Sequence, residues 1–233
     1  MTTSALVASR HHDRPIAAAK ERVRDAGRSR QSILDAAERL FSERGYDSVS
    51  LMQIAGEAGL SRGTPSYFFG SKEQLYVAVL ERAFADRQKA TEAAVAPIRA
   101  WCEAEGDVAG LRDALKLGTQ GYLRFLLERP SFRRFTAWEE LAGGDRLRAA
   151  NSKSTALTDA FTAVRAVAKR RGLRSFSVEE AVLLWVTLTF GLVAHTNTLM
   201  VTINRDLSDS KVRKRYVGFV VDQLMFLLAG CDT

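Results

Sequence analysis

The chain has 233 residues, 46% of them hydrophobic and 26% charged, a normal globular composition with enough length for a substantial core. Its formal net charge of +7 favours an anionic partner such as nucleic acid or an acidic membrane surface. Two cysteines, Cys102 and Cys231, lie far apart with no Cys-x-x-Cys spacing, which argues against structural zinc and fits a reducing, cytoplasmic location.

Residues 1–27 are polar and basic, interrupted by Pro15 and Gly27. They read as a disordered arm, either a solvated tail or a DNA contact. The opening MTTSALVASRHHDRP has no continuous apolar run, so no signal peptide is expected. From Arg30 to Arg44, the residues Ile33, Leu34, Ala37, Leu40 and Phe41 recur at three and four, predicting a helix ended by Gly45. Ser50 with Gln53 makes a capping box for a short helix that buries Leu51, Ile54, Ala55 and Ala58 and stops at Gly59. A third helix starts at Ser61 or shortly after. Ser71 and Gln74 repeat the box and open a longer helix through Leu75, Val79, Leu80 and Ala83 toward Ala96. Pro97 and the stretch 105–110 are expected to break the chain there.

Further helices are predicted over 111–128, 131–142, 145–171, 177–202 and 208–229. Their breaks are Pro130, Gly143-Gly144, Gly172 and the polar turn 204–210. The run 181–204 is long enough to span a bilayer, but it contains His195, Asn197, Asn204 and several threonines, and no second such run exists. A helix buried between its own core and a partner subunit explains it better, and no membrane partner is expected. The apolar surface of helices 177–202 and 208–229 points to a symmetric homodimer, with a large monomeric core as the alternative.

No glycine-rich phosphate loop, His-Glu-x-x-His, EF-hand loop or Gly-x-Ser-x-Gly elbow occurs. No nucleophile–base pair or carboxylate cluster follows from spacing, so no catalytic residue, metal site or cofactor is expected. His11 and His12 fall in the arm. His195 lies in the most apolar helix, either buried and hydrogen-bonded or touching a ligand. Glu139-Glu140 reads as a solvated helix edge, or as a carboxylate beside Trp138 for a cationic ligand. Trp101, Tyr122, Phe125, Trp138, Phe161 and His195 are the candidates for a small-molecule pocket between helices, though each aromatic is equally ordinary core. Cys102 and Cys231 are lone thiols or, in the alternative, a redox pair.

One stretch carries a denser pattern. Arg30–Phe41, then Gly45-Tyr46, Ser50, Ile54-Ala55, Ala58-Gly59-Leu60-Ser61, Gly63-Thr64, Tyr67, Phe69 and Ser71-Lys72-Glu73-Gln74-Leu75, resembles the TetR/AcrR family of bacterial transcriptional regulators. The remainder agrees with that family only in length and helical pattern. The resemblance implies an all-α fold: a three-helix DNA-binding domain with a helix-turn-helix over 28–74, then an all-helical effector-binding and dimerisation domain over 75–233. It implies a homodimer on a palindromic operator in double-stranded DNA, most simply a repressor released by a small-molecule effector. A hydrophobic or aromatic effector suits the side chains. An activator of the same fold, a helical ligand-binding protein that ignores DNA, and an enzyme on a helical bundle are the rivals.

By matching position, the resemblance implies that Ser50 and Lys72 contact phosphate, while Arg62, Gly63 and Thr64 lead the third helix into the major groove. Tyr67 would sit beside the backbone and Phe69 in the core. Arginine at the groove suits guanine, and lysines and helix starts suit phosphate. Arg28 and Arg30 would add backbone contacts or be plain solvated charge. Two positions depart from the common pattern. Pro65-Ser66 replaces a leucine and a tyrosine, leaving Ser66 with a shorter hydroxyl reach. Phe68 replaces a histidine, and would touch a thymine methyl or sugar or fill the hinge. Pro65 is tolerable only near the start of its helix. With Ser61 as cap it forfeits one bond to the Ser61 carbonyl, and with Thr64 as cap it is the first helical residue. Either cap predicts a short recognition helix with a distorted or 3₁₀-like first turn.

Overall fold

A computed structural model describes residues 13–104, 106–150 and 154–230 of the chain. Among these the elements are all helical, as the sequence predicts: α1 (Asp13–Arg44), α2 (Leu51–Glu57), α3 (Thr64–Phe69), α4 (Lys72–Glu103), α5 (Val108–Glu128), α6 (Pro130–Leu141), α7 (Asp145–Ala149), α8 (Ala156–Ala168), a 3₁₀ turn (Lys169–Arg171), α9 (Val178–Ala194), α10 (Thr196–Thr202) and α11 (Ser210–Ala229). No helix among the described residues is long and apolar enough to cross a membrane. The chain forms two compact units, Met1–Val79 and Leu80–Thr233.

The first unit packs α1, α2, α3 and the start of α4 around Ile33, Leu40, Phe41, Ile54, Leu75 and Tyr76, all buried. Tyr76 meets Phe41 edge-on at 4.9 Å between ring centroids and Tyr46 at 5.0 Å, joining α1, the turn after it and α4 through one aromatic cluster. Residues 13–27 correct the sequence reading: they belong to α1 and not to a disordered arm. Ala17–Ala19 and Lys20-Glu21-Arg22 are strong helix formers, and Pro15 lies in the first turn, where a missing N–H costs least. His11 and His12 lie outside the described residues.

In the second unit, α5, α8, α9 and α11 bury Leu111, Leu115, Phe161, Val164, Trp185, Val220 and Leu224. One polar pair sits inside this core: the Trp185 indole donates to the Thr119 hydroxyl at 3.1 Å, so neither group is left unpaired. Pro97 does not break its helix, contrary to expectation; α4 continues through it to Glu103. An interior proline costs about 3 kcal/mol, and burial of Val95, Ile98 and Trp101 on either side opposes that cost. The last turn of α4 is then held from a distant element. Arg171 donates to the carbonyls of Trp101 (2.6 Å) and Cys102 (2.8 Å) and stacks its guanidinium over the Trp101 ring at 4.4 Å.

Three further expectations change. The predicted helix 177–202 is two helices meeting at His195, whose φ of −108° and ψ of 25° leave the α region. The Thr196 hydroxyl donates to Val193 and Leu192 carbonyls there, competing with the backbone ladder. His195 is therefore exposed at the junction and not buried. The predicted helix 145–171 is split into α7, α8 and the 3₁₀ turn. Glu139 is no solvated edge: it is 1% exposed and accepts from the Leu147 amide at 3.0 Å, so a buried carboxylate joins α6 to α7.

Candidate nucleic-acid interface and C-terminal cleft

The geometry of the helix-turn-helix is set by local chemistry at four helix ends. At the start of α2, the Gln53 amide donates to the Ser50 hydroxyl at 3.2 Å while the Gln53 side chain accepts from the Ser50 amide at 2.8 Å. That is the reciprocal capping box predicted from sequence. The end of α2 is a Schellman closure: Leu60 N–H reaches the Ala55 carbonyl at 2.9 Å and Gly59 N–H reaches Gly56 at 3.1 Å. Gly59 takes φ +67°, a left-handed value that glycine adopts without a Cβ penalty, and the chain turns sharply toward α3.

Neither cap weighed for α3 operates. Gly63 is the N-cap, Thr64 the first helical residue and Pro65 the second. Pro65 would otherwise have bonded the Ser61 carbonyl. Thr64 N–H takes that carbonyl instead at 3.0 Å, one residue earlier than an α-helix would, so the first turn is 3₁₀-like and the Ser61 carbonyl keeps a donor. The Ser61 and Thr64 hydroxyls share a hydrogen bond of 2.7 Å across it. Pro65 and Phe69 face inward and are buried.

The residues left outward are Arg62, Gly63, Ser66 and Tyr67, with Thr64 half-buried beside them. Tyr67 is 85% exposed, an unusual amount for an aromatic, and rests edge-on against the half-buried Phe68 at 5.2 Å. At the next helix start the box recurs, with Ser71 and Gln74 exchanging bonds of 3.0 and 3.1 Å. Lys72 is held in place there. Its ammonium lies 4.3 Å from the centroid of the Tyr46 ring and donates to the Asp47 carbonyl at 3.4 Å. Sequence reasoning missed Tyr46 as this platform, although the Gly45-Tyr46 pair was the signal. Arg30 is stacked over Phe69 at 4.8 Å, and Arg28 pairs with Asp25 at 3.5 Å. Exposed hydroxyls, an exposed guanidinium and a braced lysine at the starts of successive helices can donate to phosphates and base edges together.

The aromatic candidates for a ligand site are dispersed in the second unit. Trp101, Tyr122 and Phe161 are buried, with the Trp101 indole donating to Asp107 and Tyr122 packed on Trp185 at 4.6 Å. Phe125 is half-buried, while Trp138 and His195 are exposed. None of the six lines the open cleft of about 630 Å³ formed by α5, α6, the α9–α10 junction and the start of α11. That cleft is walled by Leu127, Ala137, Ala194 and Leu207 and by the charged Arg133, Arg134, Arg213 and Asp206. Its arginines were missed from sequence; the Arg133-Arg134 doublet within an aromatic stretch was the available signal. Cys102 is a free, half-buried thiol whose pKa is raised by burial despite nearby Arg171, and Cys231 lies outside the described residues.

The sequence profile of the bacterial regulatory proteins, tetR family, matches residues 33–79. Among curated relatives, the HTH-type transcriptional repressor NicS of Pseudomonas putida is 26% identical over 206 residues, 86% of this chain and 92% of NicS. The HTH-type transcriptional regulator RutR of Escherichia coli is 32% identical over 127 residues, 54% of this chain and 55% of RutR. Among solved structures, a TetR family regulator from Marinobacter aquaeolei aligns with a TM-score of 0.59 at 22% identity, over 86% of this chain and 97% of that one. The Stenotrophomonas maltophilia repressor SmeT aligns at 0.58 and 22% identity, over 85% and 89%. The profile falls on the segment whose caps and exposed turn are those of a helix-turn-helix, and the NicS likeness runs on through the helical remainder. Residues 33–79 are a DNA-binding domain of the tetR family of bacterial regulatory proteins, and the protein is a DNA-binding transcriptional regulator.

Proposed function

We propose that the protein is a homodimeric repressor that leaves a palindromic operator when a small molecule occupies its C-terminal unit. The unit Met1–Val79 binds DNA, and Leu80–Thr233 binds the effector and the second subunit. The observation that carries this reading is one chain holding both an outward helix-turn-helix and a second unit with apolar side chains left in solvent. On α9, Leu183 is 67% exposed; on α11, Phe226 is 56% exposed, and Val186 and Phe219 on the same two helices are exposed as well. Other large apolar side chains of the unit are exposed too, Leu117, Leu141 and Val201 among them, but α9 and α11 pack against each other and so offer theirs on paired helices, as a symmetric interface requires. The name of NicS, a repressor, supports the same direction of control.

On the operator, Arg62 reads a base edge and Gly63 admits close approach. Thr64 and Ser66 supply hydroxyls, Tyr67 lies along the backbone, and Ser50 and Lys72 take phosphates. The paired recognition helices then sit about 34–36 Å apart, one turn of B-DNA. DNA as the partner places the protein in the cytoplasm. Footprinting on the DNA flanking its own gene, repeated with candidate ligands, tests the reading. A protected inverted repeat lost on ligand addition is expected. Equal affinity for random duplex, or protection by a monomer, refutes it.

A further inference from the structure

The cleft in the second unit has a chemistry unlike that of the aromatic core around it. Three arginines, Arg133, Arg134 and Arg213, line it against one acidic residue, Asp206. That carboxylate is already occupied. Asp206 accepts from the Ser208 amide at 2.7 Å and from the Ser208 hydroxyl at 2.5 Å. Ser208 and the field of Arg213 hold its carboxyl below the usual range, so it stays ionised and committed to its own turn.

Arg133 and Arg213 are pinned by backbone carbonyls. Arg133 donates one Nη to the Val193 carbonyl at 3.0 Å, at the end of α9, while its Nε is buried with no hydrogen-bond partner. Arg213 donates to the Leu207 and Ser208 carbonyls, both at 2.6 Å. Neutral carbonyls orient a guanidinium without cancelling its charge, and Asp206 sets one negative charge against three positive ones. Burial and the adjacent Arg134 both disfavour the charged form of Arg133, a repulsion that a bound anion would reverse.

The rest of the lining is Leu127, Ala137, Ala194 and Leu207, with the hydroxyl-bearing Thr196 and Ser208. Leu127 and Leu207 belong to a packed cluster with Leu192 and Met200, which gives the cleft a firm hydrophobic floor. The volume of about 630 Å³ is in the range that holds a small organic molecule. We propose that this cleft binds a small organic acid, its carboxylate received by Arg133, Arg134 and Arg213 and its apolar body by Leu127, Ala137, Ala194 and Leu207. The proposal rests on the effector-controlled reading above and gives the effector a chemical class.

The test is calorimetric titration of the full chain, without DNA, with benzoate, salicylate and octanoate, each against its neutral amide, and with sulfate. At least one acid should bind about tenfold or more tighter than its amide, the worth of one charge-assisted bond. It should also outbind sulfate by a similar factor. Arg134→Gln, an exposed position, should lower that affinity about tenfold. Arg133→Gln should lower it further, with circular dichroism showing that each variant is folded. Amides that bind as well as acids, sulfate that binds as well as either, or a folded Arg134→Gln with unchanged affinity overturns the proposal. Operator release is read separately by fluorescence anisotropy. An acid that binds the cleft without releasing DNA upholds the site and removes the effector reading. Release by the amides alone does the reverse.

Discussion

Gly118 sits where α5 crosses α4, and an alanine there should destabilise the protein although it favours helix. A Cβ built on Gly118 falls 2.2 Å from the carbonyl oxygen of Ala94, where ordinary contact begins at 3.4 Å. The obstacle is backbone in the middle of a long helix, so it cannot swing aside as a side chain would. Relief requires the two helices to separate by about 1 Å across a close-packed core. Overpacking of this kind costs about 1–3 kcal/mol, and the gain in helix propensity from glycine to alanine returns about 1 kcal/mol. A Cβ this close to backbone lies at the upper end of that cost, so the net expectation is a loss of about 2 kcal/mol. Gly121, one turn later in the same helix, is the internal control, because a Cβ there meets nothing within 4 Å. Gly121→Ala should gain up to about 1 kcal/mol. Thermal melts of both variants at one protein concentration separate them, at about 2–4 °C per kcal/mol for a chain of this size. A Gly118→Ala melt at or above that of the parent would refute the steric reasoning.

The remaining predictions concern DNA and assembly. Arg62→Ala should cost about 1–3 kcal/mol on the operator and less on random duplex; equal losses on both would show that Arg62 reads no base. Lys72→Ala should weaken both duplexes alike and lower the slope of log affinity against log salt by about one, and a changed sequence preference would contradict a phosphate role. Gln53→Ala removes half of the capping box and should cost about 0.5–1 kcal/mol. Hydrogen exchange should show α2 amides opening more readily, and unaltered protection there would count against the cap. Phe226→Glu places a charge in the exposed apolar strip of α11 and should shift sedimentation from dimer toward monomer, with operator binding lost alongside. A variant that stays dimeric would move the interface elsewhere.

Both capping boxes, at Ser50–Gln53 and Ser71–Gln74, the stop at Gly59 and the inward stripe of α1 were legible in the residues alone. Each depends on partners within about one helical turn, so the sequence order already places the interacting groups together. Pro65 belongs to the same class. Its position confined the damage to the first turn of α3, although the cap at Gly63 and the switch of the Ser61 carbonyl to Thr64 required backbone angles that composition does not reveal. Tertiary structure decided the rest, through partners far apart in the chain. Burial beside Pro97 and the reach of Arg171 to Trp101 and Cys102 carry α4 past a residue that local rules treat as a stop. Glu139 is buried because α7 folds back to give it an amide, and His195 is exposed because the threonine after it bends the helix. The same non-local packing brings Arg133 and Arg134 of α6 to Arg213 of α11, nearly eighty positions away, where an excess of positive charge meets apolar side chains.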